Sequence, residues 1–434
     1  MAVPARIDVS HPPGLAARLT PLKDDAIRLW RASSTELSSL GPRITWTTRW
    51  GNARATRQLI DEIARRIDTY PADLSLRTAW REATRTRLQS FGEARFGWPD
   101  GYRRLLFGDA FYDAAVDFAR RARAFDPALS LDDLWQALRN VWIGNSLQML
   151  LARPITLGSG LFAYSMFYPV TDNLLDAPHV SSADKREFNE RLGRRLIGER
   201  PVARSDSEAR AFSLAGYIEE EFPRHRYGDV WESVLAIHRG QIASLQQQRA
   251  RSLSEWTLLD ISVAKGGASV LADLYLVAGE ASPEEERFAF CYGVFLQLLD
   301  DLQDVTADLE AGHQTLFTLA AQRGPLDALT ARLMRFMDAV LETAPSLGSS
   351  EQADCIDVIR RNCRALLVGV IAEQPERFTR GFRRSIQIQW PLRFTAMRRL
   401  KRRARRRFEA TAQHVRERHD GASPLELLLA STRA

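Results

Sequence analysis

At 434 residues the chain is long enough for one large helical domain with extensions, or for two domains. Its 45% hydrophobic and 26% charged content is that of an ordinary globular protein. No apolar stretch reads as long enough to span a bilayer, and the N-terminus lacks the apolar centre of a signal peptide, so a cytoplasmic protein is expected. Cys291, Cys355 and Cys363 lack metal-site spacing and read as buried thiols rather than disulfides. The net charge of +6 is mild but unevenly placed, as the C-terminal region shows.

Taken in chain order, almost every segment between helix breakers has helical period. Residues 55–67, 109–124, 131–151, 182–197 and 229–253 all repeat apolar positions at i, i+3 or i+4. Ser130, Ser181 and Ser282 mark helix starts, the last followed by Pro283 and three glutamates near the positive end of the dipole. Strand-like alternation is rare, and no Asn-Gly hairpin appears. The chain therefore reads as all-α, with roughly a dozen helices. The row His238, Gln241 and Ser244 at i, i+3, i+6 either faces a cavity or forms a satisfied polar seam. Eight of the ten residues from Arg398 to Arg407 are Arg or Lys, within a breaker-free stretch over 393–418. That helix is either a solvated terminal helix or a contact for an anionic membrane surface. Nucleic acid is not expected, because no nucleic-acid module or aromatic platform accompanies the basic run.

Two carboxylate clusters carry the chemistry. Asp172 and Asp176 stand one turn apart after the apolar run 161–170. Asp300, Asp304 and Asp308 recur at i, i+4, i+8 after the apolar run 288–299, with Asp301 beside the first of them. Stacked carboxylates entering an apolar interior repel one another unless cations lie between them. All-oxygen donors suit Mg²⁺, which takes one or two carboxylates and leaves its other positions to water and phosphate oxygens. Two such stripes point to a diphosphate held by magnesium. Between them, Gly266 and Gly267 interrupt an apolar helix beside Lys265, and adjacent glycines there mark a helix break or a close backbone approach. No G-x-S-x-G elbow, P-loop, H-E-x-x-H or dinucleotide fingerprint is present.

The order of these elements resembles the class I isoprenoid synthases, the helical fold shared by prenyl diphosphate synthases, squalene and phytoene synthases and class I terpene cyclases. Phe295 to Asp308 is similar to the second aspartate-rich region of the prenyl synthases, with Leu296 where that pattern has phenylalanine. The D-x-x-x-D spacing of Asp172 and Asp176 looks more like squalene and phytoene synthases and the related bacterial cyclases of long prenyl chains. The resemblance implies Mg²⁺ held by Asp172, Asp176, Asp300, Asp301, Asp304 and Asp308, ionisation of a prenyl diphosphate, and a broken helix that sets Lys265 against the diphosphate. It implies His238, Gln241, His313, Phe167, Tyr168, Tyr275 and Phe295 as substrate-binding candidates, with Phe162, Tyr164, Phe288 and Tyr292 as further aromatics for the pocket wall. His313 departs from the lysine that prenyl synthases place after the glycine. A homodimer is common among similar proteins.

The expected organisation is an N-terminal helical extension over 1–100, a catalytic helical domain over 101–380, and a basic C-terminal helix and tail over 381–434. The expected activity is that of a Mg²⁺-dependent terpene synthase, cyclisation being favoured by the long extension and the altered first motif. The alternatives are a prenyltransferase, either chain-elongating or coupling head to head, and a non-catalytic helical scaffold.

Overall fold

The computed structural model of the protein describes residues 14–71, 73–99, 102, 108–175, 180–248, 252–344 and 350–418. Among these there are seventeen α-helices and no strand. The first three are α1 (Leu15–Ala32), α2 (Trp46–Asp68) and α3 (Leu74–Phe96). They are followed by α4 (Asp109–Phe125), α5 (Leu131–Leu150), α6 (Ser159–Leu175), α7 (Ser182–Leu196), α8 (Asp206–Glu221) and α9 (Gly228–Ser244). The central pair is α10 (Glu255–Ala278) and α11 (Pro283–Gln303), after which come the short α12 (Val305–Ala311) and α13 (Leu316–Arg323). The chain closes with α14 (Asp327–Glu342), α15 (Ser350–Glu373), α16 (Arg380–Gln387) and α17 (Phe394–Arg418).

Local chemistry explains most of the boundaries. Ser130 and Ser282 each close a capping box, with Asp133 and Glu285, and Ser181 accepts from the Asp184 N–H. The helix expected over 229–253 is shorter than its pattern: α9 stops at Ser244 and tightens into a single 3₁₀ turn, Leu245–Gln248.

Helix α10 is the axis of the core, packed between α9 and α11 and touched by α5 and α6. By length and composition it is long and apolar enough to cross a membrane, which corrects the reading that no such stretch exists. Its most apolar window is 72% buried by its neighbours, so its apolar surface is covered within the bundle. The expected helix break at Gly266 and Gly267 is absent, because α10 runs through both. The glycines serve close approach instead. A Cβ on Gly266 would stand 2.7 Å from the Gly293 carbonyl oxygen of α11, and one on Gly240 of α9 would stand 2.9 Å from the Lys265 Cα. Three helix backbones thus meet at the level of Lys265, where no side chain separates them.

Helix α1 belongs to this core although it precedes residue 100. Leu15, Leu22, Ala26, Ile27 and Trp30 are buried in the same cluster as α10 and α11. Helices α2 and α17 pack side by side at the edge of the bundle, tied by Asp61, which accepts from Arg403 at 2.6 Å and from Arg407 at 3.2 Å.

Candidate active site

A cavity of about 270 Å³ opens among α5, α6, α9, α10 and α11. Helix α5 supplies Gln136, Arg139, Asn140 and Ile143 at i, i+3, i+4, i+7, one continuous face. Helix α10 supplies Lys265, Gly266, Ser269 and Val270, and α11 supplies Gly293, Leu296, Gln297 and Asp300. At Tyr168, Ile237 and Gln241 the cavity meets a second, smaller and predominantly apolar one. Its wall is Tyr164, Phe167 and Thr171 from α6, Asn189, Leu192 and Leu196 from α7, and Val234 and His238 from α9. One compartment is therefore polar and charged, and the other is aromatic and aliphatic.

Lys265 and Arg139 make no ion pair with any described residue. Both face the Asp300 carboxylate closely enough to oppose the upward push that burial gives its pKa. Asp304 is likewise raised, by burial first and then by the like charges of Asp300 and Asp308. The register survives the junction between α11 and α12: the Asp304 N–H donates to the Asp300 carbonyl at 3.0 Å, and the Asp308 N–H to the Asp304 carbonyl at 2.8 Å. The three carboxylates therefore stay on one side and repel one another.

Asp301 points elsewhere. Its side chain is buried and accepts from Ser262 Oγ and Gln297 Nε2, both at 2.8 Å. Burial pushes its pKa up to about 6 against those two hydrogen bonds. It joins α11 to α10 rather than to the carboxylate row, so its expected place among the metal ligands is corrected by geometry. Asp176 lies outside the described residues, and of Asp172 only the backbone, in the last turn of α6, is described.

The remaining candidates divide. Phe167, Tyr168, His238 and Gln241 line the cavities. The polar row on α9 thus faces a cavity with its first two members, while Ser244 Oγ turns back to the Gln241 carbonyl. His238 is held neutral, its pKa lowered by burial. His313 is outside the lining, its Nδ1 3.2 Å from Asp308 Oδ1. Tyr275 and Phe295, expected in the wall, are not there. Phe295 is fully buried in the core, and the Tyr275 hydroxyl donates to Glu286 near Arg18.

Arg139, Gln136 and Asn140 were not singled out from sequence, although a polar row within the otherwise apolar helix 131–151 was a usable signal. Behind the wall lies a further acid. Asn140 Nδ2 donates to Asp273 Oδ1 at 2.8 Å and to Ser165 Oγ at 3.1 Å, and Asp273 Oδ2 has no partner. Burial raises the Asp273 pKa well above the carboxylate range, so the group is a neutral acid.

Among the described residues no three His, Cys, Asp or Glu side chains converge on one point. The carboxylate row nonetheless fits Mg²⁺, which needs only one or two protein carboxylates and would relieve the repulsion that adds to burial in raising Asp304.

No family model matches the chain, and no curated protein sequence does. Several solved structures resemble it. A geranyltransferase from Legionella pneumophila is 16% identical, over 74% of this chain and 99% of its own, with a TM-score of 0.35. A polyprenyl synthetase from Streptomyces coelicolor A3(2) is 15% identical, over 88% of this chain and 98% of its own, with a TM-score of 0.28. Likeness of this degree extends to neither substrate nor chemistry.

Proposed function

We propose that the chain is an enzyme that ionises a prenyl diphosphate and forms a carbon–carbon bond from the resulting cation. Prenyl transfer to a second prenyl chain is the leading reading, and cyclisation within one chain is the second. The observation that carries the proposal is the pair of cations with no ion-pair partner among the described residues, Arg139 and Lys265, in a polar cavity that meets an aromatic one at Tyr168. A prenyl diphosphate has that same division, anionic at one end and apolar at the other. The two compartments, meeting at Tyr168, fit the two ends of one such substrate, and transfer adds an acceptor chain that enters beside it.

Lys265 and Arg139 attract the diphosphate oxygens and favour the moment when the C–O bond breaks and the electron pair leaves with the diphosphate, since negative charge there is then greatest. Asp300, Asp304 and Asp308, together with Asp172 and Asp176 of the first sequence motif, would hold Mg²⁺. That ion, when bound, supplies Lewis-acid stabilisation of the leaving group. The faces of Tyr164, Phe167 and Tyr168 offer negative π density to the allylic cation, and the apolar wall excludes water that would quench it. The neutral His238 and Gln241 add polar lining without adding a charge to compete with the cation. Bond formation then uses the electron pair of an alkene, from the acceptor chain or from the same chain, and a proton leaves the adjacent carbon.

The test is incubation of the purified protein with geranyl, farnesyl, geranylgeranyl and geranylfarnesyl diphosphates, with and without Mg²⁺ and isopentenyl diphosphate, followed by mass spectrometry. Longer or coupled prenyl products that require Mg²⁺ are expected. A hydrocarbon or alcohol with the carbon number of its substrate would select cyclisation, and no turnover of any of them would overturn the proposal.

A further inference from the structure

The edge of the bundle formed by α2 and α17 has no role in the reaction above, yet it carries the densest charge in the molecule. Along α2, Trp46, Trp50, Arg54 and Arg57 fall at i, i+4, i+8 and i+11, one stripe. Trp46 and Trp50 are 57% and 55% exposed. Along α17, Arg399, Arg402 and Arg406 fall at i, i+3, i+7. The stripes border a shared groove: Trp50, Arg54 and Arg57 line it from one side, and Arg393, Arg399 and Arg403 from the other. Arg399, Arg402 and Arg406 with Arg403 and Arg407 line a second hollow beside it. Neither lining contains an acidic residue.

Asp61 neutralises Arg403 and Arg407 from beneath, and Arg49 donates to the Gln387 carbonyl. Arg54, Arg57, Arg393, Arg399, Arg402 and Arg406 have no acidic partner among the described residues. Along the groove and the hollow beside it, α2, Arg393 and α17 therefore present six guanidinium groups with no acidic partner among the described residues. A solvated face would lose nothing by placing polar residues beside them, whereas here the neighbours are two exposed indoles, with the half-exposed Phe408 further along α17.

We infer that this face docks on an anionic lipid bilayer. Guanidinium groups pair with lipid phosphates at the headgroup level, and indoles lodge at the boundary between headgroup and acyl chain, so the stripe meets both layers of such a surface at once. Single-stranded nucleic acid offers phosphates too, but it uses open aromatic faces for base stacking, and the Arg54 guanidinium lies over the Trp50 ring, 5.9 Å from its centre. The bilayer matches both halves of the face, and this inference does not depend on the proposed reaction.

The experiment is flotation of the full chain with vesicles of phosphatidylcholine alone and of phosphatidylcholine mixed with phosphatidylglycerol. Binding is expected to the mixed vesicles only, and to be reversed by salt. The triple variant Arg399→Gln, Arg402→Gln, Arg406→Gln should bind at least about tenfold more weakly. Trp46→Ser with Trp50→Ser should bind more weakly and lose the fluorescence blue shift that accompanies docking, with unchanged circular dichroism in both variants. Equal binding to neutral vesicles, no binding to either, or unaltered binding by both variants would overturn the inference. So would displacement from mixed vesicles by single-stranded RNA at a lower concentration than soluble polyphosphate requires.

Discussion

Asp273 and Asp304 show how the same side chain takes different roles according to its surroundings. Asp273 is fully buried with one oxygen unpartnered, and burial keeps its proton on. An acid whose folded pKa is raised costs no stability below its unfolded pKa, about 4, and costs progressively more as pH rises from there towards the folded value. Asp273→Asn should therefore raise the melting temperature at pH 8, with the gain shrinking towards pH 4. Calorimetry over that range checks it, and a gain independent of pH would contradict it. Asp304 is far more open to solvent, only partly desolvated, and lies in a row of like charges. Asp304→Ala should cut diphosphate release on the order of a hundredfold or more while leaving the melting temperature nearly unchanged. Asp301→Ala should do the opposite, costing about 1–3 kcal/mol because buried Ser262 loses its acceptor. The run of aspartates was plain in the sequence, but which of them faces the cavity was not. A heptad position says which face a residue occupies, not which face is opposite a Ser262 from another helix.

At the scale of elements, the α10–α11 contact sets the width of the cavity. A Cβ on Gly293 would run into the Gly266 carbonyl oxygen, backbone that has no room to retreat. Gly293→Ala should destabilise the protein by about 1–3 kcal/mol or more and weaken the KM for a prenyl diphosphate, since Lys265 and Asp300 sit on the two displaced helices. Thermal melts and steady-state kinetics read both effects. Helix existence was legible from period and caps: the segments expected over 109–124, 131–151 and 182–197 end within a residue of α4, α5 and α7. The Gly266–Gly267 pair was read as either a break or a close approach, and local propensity could not choose, because the compensation for two glycines comes from the helix packed against them.

At the scale of the whole molecule, α1 is tied into the bundle by Arg18. Its guanidinium donates to Glu286 at 2.7 Å, to Asp229 at 2.9 Å and to the Tyr275 hydroxyl at 3.0 Å. The Glu286 side chain is 2% exposed, so Arg18→Met would leave a buried carboxylate without its cation. That should cost about 3–5 kcal/mol, read as an earlier transition in chemical denaturation. The same contact explains why Tyr275 is absent from the cavity wall although it lies fewer than three turns beyond Lys265 along α10: its hydroxyl is claimed at the other end of the helix.

By itself the sequence determined the helical class, the caps, the carboxylate row from Asp300 to Asp308, Lys265 and the basic helix, because each is a matter of residue type at short spacing along one chain segment. Only the tertiary structure decided that Arg139 of α5 meets Lys265 and Asp300, that Phe167 and Tyr168 line the cavity while Phe295 and Tyr275 do not, and that Trp50 shares a groove with Arg399. Those are relations between helices far apart in the chain, and they are set by which glycines allow two backbones to touch and which buried charges must find partners.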